Sequence, residues 1–169
     1  ASKAASDLMV RSAHVTHKLP VVITRASNNF GPYQYPEKAL PLLITNLIDG
    51  IPFPLYGDGL NVRDWLYVLD HARALDLVLR KGATGEIYNI GGTEHCSNKD
   101  IIKKVIGLMF QSEELIFSVP DRPGHDRRYA IDSSKAHREL KWKPRHRHED
   151  GIKETIDWYV RNRAWWEPL

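Results

Sequence analysis

Apolar and polar positions succeed one another along the chain with two different periods, which predicts strands interleaved with helices. Residues 1–18 carry Ala1, Ala4, Ala5, Leu8, Met9 and Val15 at helical spacing, with no capping residue ahead of Ala1. So abrupt a start is expected of a helix cut in its interior, and so of a piece of a longer chain. Residues 19–25 form a short β-branched run, as expected of a strand covered on both faces in a parallel sheet. Residues 26–33 follow as a polar loop at that strand's end. Residues 37–49 read as a helix that tolerates Pro41 in its first turn and stops at Gly50. An extended piece, 51–56, leads to the turn Gly57-Asp58-Gly59. Residues 62–68 alternate as a strand, with Arg63 and Trp65 on one face and Asp64 and Leu66 on the other.

Asp70 is placed to cap a helix over 71–80 whose core stripe is Ala74, Leu75, Val78 and Leu79. After a turn at 82–85, residues 86–90 read as a second buried strand closed by Gly91-Gly92. Ser97 and Asp100 have the spacing of a capping box for a helix reaching Met109. Residues 115–119 form a third short strand. Ser133 or Ser134 caps a short helix to Leu140, Pro144 interrupts the chain, and 150–163 is the last helix. An aromatic tail around Trp165 and Trp166 follows, expected to pack. The alternation of strands and helices predicts an α/β architecture.

The chemistry is densest in Asp121-Arg122-Pro123-Gly124-His125-Asp126-Arg127-Arg128-Tyr129-Ala130-Ile131-Asp132. Pro-Gly requires a tight bend, so this stretch is a loop. Its arginines present planar forks of N–H donors suited to an anion with several oxygens. A solvated charge cluster is the alternative; the turn and the apolar segments on both sides favour a positioned anion site. Asn28 and Asn29, at the end of a strand, suit sugar hydroxyls or a nicotinamide carboxamide, or else form an Asx-type turn. The glycines of Gly57-Asp58-Gly59-Leu60-Asn61-Val62 lack the third glycine and the following helix of a dinucleotide loop, and are rejected as one.

Composition narrows the classes further. At 169 residues with a net charge of +3, the chain has the balance of one globular domain. No run of about 18 apolar residues appears and no apolar leader opens the sequence, so neither a membrane span nor a secretory signal is expected. The single cysteine, Cys96, cannot form an internal disulfide, which fits a reducing, cytoplasmic setting. A basic patch made by Lys135, Arg138, Lys141, Lys143, Arg145 and Arg147 has no interleaved aromatics, so a solvated helix and turn is favoured over a nucleic-acid contact. His14 and His17 lie one turn apart without a third ligand at motif spacing, so no metal site is expected.

Several motifs then occur together and in order: Ala1-Ser2-Lys3-Ala4-Ala5, Ser27-Asn28-Asn29-Phe30-Gly31-Pro32-Tyr33, Pro36-Glu37-Lys38, Arg63-Asp64-Trp65-Leu66-Tyr67-Val68, Asp70-His71, Tyr88-Asn89-Ile90-Gly91-Gly92 and the arginine loop. Together they resemble the extended short-chain dehydrogenases/reductases, and within them the 4,6-dehydratases of dTDP-glucose, over nearly the whole chain. The resemblance implies the C-terminal part of a Rossmann-type doubly wound sheet plus a smaller α/β substrate-binding domain. Residues 1–31 would end the NAD-binding part, and 32–169 would be mainly the nucleotide-sugar domain, with 62–92 partly returning to the Rossmann part. A homodimer is implied for the intact enzyme.

By the same resemblance, Lys3 matches the lysine of a Tyr-x-x-x-Lys helix whose tyrosine would precede Ala1. Lys3 would contact the nicotinamide ribose and favour the phenolate. Asn29 would lie against NAD and Asn28 against the substrate. Lys38, Ala39, Pro54, Leu55, Tyr56, Arg63, Asn98, Asp121, Arg122, Pro123, Gly124 and His125 would line the nucleotide-sugar pocket, with Arg63 and Arg122 on the diphosphate and Tyr56 near the thymine. Ala39 stands where a bulkier apolar residue is common. The implied chemistry is oxidation at sugar C4, loss of water across C5–C6 and return of hydride to C6. The acid–base Asp-Glu pair and the glycine-rich loop of the family are not among these residues, so they are expected to be inactive and poorly stable by themselves. A related sugar-nucleotide epimerase or decarboxylase is the runner-up, which the arginine loop disfavours; a non-catalytic nucleotide-sugar-binding module is the reading from a different class.

Overall fold

The computed structural model describes residues 1–169. It is α/β, built from short parallel strand pairs with helices packed against them. Helix α1 (Ser2–His17) ends where Lys18 turns into the left-handed region and donates its N–H to the His14 carbonyl. It buries none of its side chains, so the stripe of Leu8, Met9 and Val15 is exposed. An ion pair at 2.7 Å between Arg25 and Asp7 ties it to strand β1 (Ile23–Ala26).

Strand β1 runs parallel to β5 (Ile87–Ile90), with Ile23 opposite Ile87. It is shorter and less buried than the apolar run at 19–25 suggests, because β5 is its only neighbour. The expected loop at 26–33 also contains a strand. β2 (Asn28–Phe30) runs parallel to β4 (Val62–Tyr67), so that Asn28 faces Trp65 and Phe30 faces Tyr67. β4 is joined along its other edge by β6 (His95–Ser97), antiparallel, while the two-residue β8 (Arg128–Tyr129) pairs in parallel with Val62 and Arg63 on the edge opposite β6. Neither β6 nor β8 is long enough to show a period in the sequence. A third pair, β3 (Phe53–Tyr56) with β7 (Ile116–Val119), is parallel.

The alternation of β4 feeds two separate cores. Trp65 and Tyr67 join Phe30 and the buried faces of α2 (Ala39–Asp49), α4 (Asn98–Met109) and α6 (His148–Arg161) in the larger one. Leu66 joins Tyr88, Ile90 and the buried residues of α3 (Val68–Lys81) and α5 (Ser134–Leu140) in the smaller. Asp64, fully buried between them, accepts the Gly92 N–H at 2.8 Å, and burial pushes its carboxyl above the usual range.

The capping box of α4 is present, with Asp100 N–H donating to Ser97 Oγ and Ser97 N–H to the Asp100 carboxylate. Other caps differ from expectation. α3 begins at Val68, so Asp70 sits inside its first turn, where it accepts the Arg145 N–H at 2.9 Å and the His146 N–H at 3.0 Å. Of the stripe read on α3, Ala74 and Val78 are buried, whereas Leu75 and Leu79 are exposed because α5 and β4 cover only one side. Neither Ser133 nor Ser134 caps α5 with its side chain; Asp132 accepts the Ser134 N–H instead. The last long helix is α6, two residues earlier at each end than expected, and α7 (Arg163–Trp166) follows with Trp166 buried.

Two stability outcomes follow from these contacts. Asp70 is 1 % exposed, and its bonds from the backbone N–H groups of His146 and Arg145 and from the His146 side chain outweigh burial and hold its carboxyl below the usual range. Asp70→Ala leaves those N–H groups unpaired and is expected to cost about 2–4 kcal/mol, with Asp70→Asn costing less, as read by denaturant unfolding. His148 is buried with its ring 5.6 Å from that of Phe30, and burial and then Lys104 push its pKa below the ordinary 6.5. The fold therefore favours neutral imidazole: stability is complete above pH 6.5 and falls as the pH drops below it. His148→Gln is expected to flatten the dependence of the melting midpoint between pH 7.5 and pH 5.5; a slope equal to wild type rejects this.

Candidate functional site

A cavity of about 500 Å³ opens between β2, α2, β3, the first half of β4, the start of α4 and the arginine loop. It brings together most of the residues singled out in the sequence: Asn28, Asn29, Lys38, Ala39, Pro54, Leu55, Tyr56, Arg63, Asn98, Arg122 and His125 all line it. Asp121, Pro123 and Gly124 do not line it, and neither does Lys3, which stands exposed on the first turn of α1. The sequence reading missed Gln34, Glu37 and Trp65 on the wall, together with an apolar floor from α2 and α4. Trp65 was within reach of sequence reasoning, because strand alternation places it on the face of Arg63.

Arg63 is the electrostatic centre of the wall. It is 8 % exposed, and its guanidinium bonds only to backbone carbonyls, those of Val62 at 2.8 Å and Asp126 at 2.9 Å. No carboxylate pairs with it, although buried charges are ordinarily paired. Arg122, on the same cavity, likewise has no carboxylate partner. By contrast, Lys38 is paired with its neighbour Glu37 at 2.5 Å. The cavity therefore carries uncompensated positive charge at the Arg63 end.

The arginine loop is held against that end from several sides. Asn61 Nδ2 and Arg63 both donate to the Asp126 carbonyl, at 3.2 and 2.9 Å. Arg127 forms two bonds to the Asp58 carboxylate, at 2.8 and 3.0 Å, and so ties the loop to the Gly57-Asp58-Gly59 turn. This bonding, with the Leu60 N–H, holds the Asp58 carboxyl below its usual range. Asp121 supports His125, whose side chain is only 6 % exposed, by a contact of 2.7 Å to Nδ1. That bond is also what keeps the Asp121 carboxyl low. At Gly57, φ is +58° and a Cβ would lie 3.1 Å from the Asp121 side chain, so the turn accepts glycine alone without strain. No group of three or more His, Cys, Asp or Glu side chains is placed to hold a metal ion.

An α/β fold whose parallel strands border a polar, cation-lined cleft fits the extended short-chain dehydrogenase/reductase class. The chain belongs to the GDP-mannose 4,6 dehydratase family, whose model matches residues 1–155. It is 53 % identical over 169 residues to a dTDP-glucose 4,6-dehydratase of Streptomyces antibioticus, covering 100 % of this chain and 50 % of the relative. A solved dTDP-glucose 4,6-dehydratase of Bacillus anthracis in complex with NAD is 50 % identical, with a TM-score of 0.95 over 99 % of this chain and 53 % of that one. A UDP-glucose 4-epimerase of Thermotoga maritima, solved with UDP-glucose, has the same fold at 26 % identity, with a TM-score of 0.91 over 95 % of this chain and 52 % of that one. The chain thus spans about half the length of the relatives it matches.

The Asp58–Arg127 tie has a measurable consequence. Both partners are well exposed, so Asp58→Ala and Arg127→Ala should leave the melting midpoint nearly unchanged. Each should nevertheless accelerate amide exchange across residues 121–127, and the double variant should exchange no faster than either single one. Additive acceleration would mean that the two side chains act separately.

Proposed function

We propose that this chain is the nucleotide-sugar-binding portion of an NAD-dependent dTDP-glucose 4,6-dehydratase, a lyase that converts dTDP-glucose to dTDP-4-keto-6-deoxyglucose. The observation that carries the reading is Arg63, a buried guanidinium without a carboxylate, facing the same cavity as the unpaired Arg122. A diphosphate supplies the missing anionic oxygens in a geometry that guanidinium forks match. Tyr56, with Pro54 and Leu55, offers an apolar and aromatic edge for a pyrimidine base, and Asn28 and Asn98 offer uncharged donors and acceptors for sugar hydroxyls.

The residues present fit a share of a nicotinamide site. Asn29 has a buried oxygen without a protein partner, as a carboxamide or ribose hydroxyl would require, and Lys3 is exposed on α1 with no carboxylate bound. When bound, NAD supplies a reversible hydride acceptor. The tasks left to this chain's own side chains are to neutralise the diphosphate with Arg63 and Arg122, to orient the hexose through the amides, and to shield it from water with the α2–α4 floor. Lys3 holds positive charge beside the position of a preceding tyrosine. The epimerase alternative has weaker support, since identity to such an enzyme is 26 % against 53 % for the dehydratase.

Turnover by the full-length protein tests the reading. With dTDP-glucose and NAD, proton NMR should show a new methyl signal as C6 loses its hydroxyl, and UDP-glucose should react far more slowly. Arg122→Ala or Arg63→Ala should raise KM for dTDP-glucose by about one to two orders of magnitude, the value of one charge-assisted contact. Inversion at C4 without a methyl signal would assign the chain to the epimerases instead.

A further inference from the structure

Two side-chain amides on the cavity wall are oriented by the backbone. Asn29 Nδ2 donates to the Ser27 carbonyl at 3.1 Å, and Gln34 Nε2 donates to the Asn29 carbonyl at 2.9 Å. Turning either amide over would set two oxygen atoms against one another, so the nitrogen of each is committed to the backbone. Its oxygen is then left over for another partner. Asn29 Oδ1 and Gln34 Oε1 are accordingly buried acceptors without a protein partner, and Trp65 Nε1 is a buried donor without one. All three residues line the same cavity. Buried polar atoms are paired in the great majority of cases, so three orphans on one wall point to a ligand rather than to packing.

Their position gives the ligand's chemistry. Trp65 lies opposite Asn28 in the β2–β4 register and two residues beyond Arg63 on the same face of β4, which is about 7 Å along the strand. The wall thus changes from cationic at Arg63 to neutral at Trp65, Asn29 and Gln34. Phosphate oxygens accept and never donate, so carbonyl acceptors would repel them. A hydroxyl both donates and accepts, and with Asn29 given to the nicotinamide side it suits the acceptor of Gln34 and the donor of Trp65.

We propose that Gln34 is a specificity-determining residue, its Oε1 accepting a hydrogen bond from a hydroxyl of the ligand's hexose. This rests on the nucleotide-sugar reading of the cavity given above. The strap that carries Gln34 is built to hold it in place. Tyr159 Oη donates to the Gln34 carbonyl, and the Tyr33 ring lies 4.7 Å from that of Trp158 and 5.5 Å from that of Trp165. Tyr33 keeps a φ of +62°, which a non-glycine residue adopts only when its surroundings impose it. The preceding Gly31 has a φ of +144°, and a Cβ there would come within 2.5 Å of Val68. The backbone that carries Gln34 is therefore a rigid turn.

Calorimetric titration of the full-length protein with dTDP and with dTDP-glucose separates this contact from the rest of the site. Gln34→Met, which keeps the length and removes the acceptor, should weaken dTDP-glucose about tenfold and leave dTDP within about twofold. Of the dTDP-glucose analogues singly deoxygenated at C2, C3 or C4, one should bind wild type about tenfold more weakly than dTDP-glucose. That analogue should bind the variant and wild type equally. Equal weakening of dTDP and dTDP-glucose, or no weakening of either, overturns the assignment of Gln34 while leaving the nucleotide-sugar site standing. Failure of wild type to bind dTDP at all overturns both. If Gln34→Met does not fold, Gln34→Asn makes the same comparison by withdrawing the acceptor one methylene.

Discussion

Strand β4 is buried on both faces and paired along both edges, and that constraint organises the molecule. Every residue from Arg63 to Tyr67 is buried. A period-two strand in this position must satisfy two cores at once, and β4 does so by giving Trp65 and Tyr67 to one and Leu66 to the other. Slipping its register by one residue would exchange Asp64 for Trp65 between the faces, placing a carboxylate in the larger core and an indole against Gly92. The register is therefore strongly specified, and with it the direction in which Arg63 points.

The position of Arg63 in turn explains why the arginine loop is ordered. A guanidinium removed from water needs acceptors, and this one takes them from backbone carbonyls, one of them on Asp126 of the loop. The loop thereby solvates the cation while the cation locates the loop. Asn61 bonds to the same carbonyl from the adjoining position, and the Asp58–Arg127 pair adds an exposed tie that specifies position more than it stabilises. Neutral carbonyls relieve the cost of desolvation without cancelling the charge, so the cavity keeps its preference for an anion.

Much of this was legible from sequence because it rests on local rules. The capping box at Ser97 and Asp100, the stop at Gly50 and the alternation through 62–67 are each set by neighbours within a few residues. What was not legible depends on tertiary partners. Asp70 has the position of a cap, yet its carboxylate is claimed by Arg145 and His146, 75 and 76 residues away. Leu79 has the spacing of a core residue and is exposed because no element covers that side of α3. β6 and β8 exist only because β4 offers them an edge. In the cavity, the arginine loop announced itself by composition, whereas Gln34 did not: a lone glutamine in a turn becomes notable only when its nitrogen is seen to be spoken for and its oxygen is not.

The cavity's two ends depend on different parts of the chain. The cationic end rests on β4 and on the loop at 121–127, and the ties between them are hydrogen bonds to carbonyls and carboxylates. The neutral end rests on the turn at 31–38, whose outer surface is packed by aromatic rings from α6 and α7. Neither α6 nor α7 contributes a residue to the cavity wall. Their part is to hold Tyr33 in a backbone conformation it would not adopt in a free peptide, and through it to fix the amide of Gln34. The aromatic tail, which the sequence marked only as a packing element, thus bears on recognition at one remove. Loosening it would blur the hydroxyl-facing wall while leaving the anion end intact, because the loop that holds Arg122 and His125 is tied to Asp58, Asn61 and Arg63 and not to the aromatic tail.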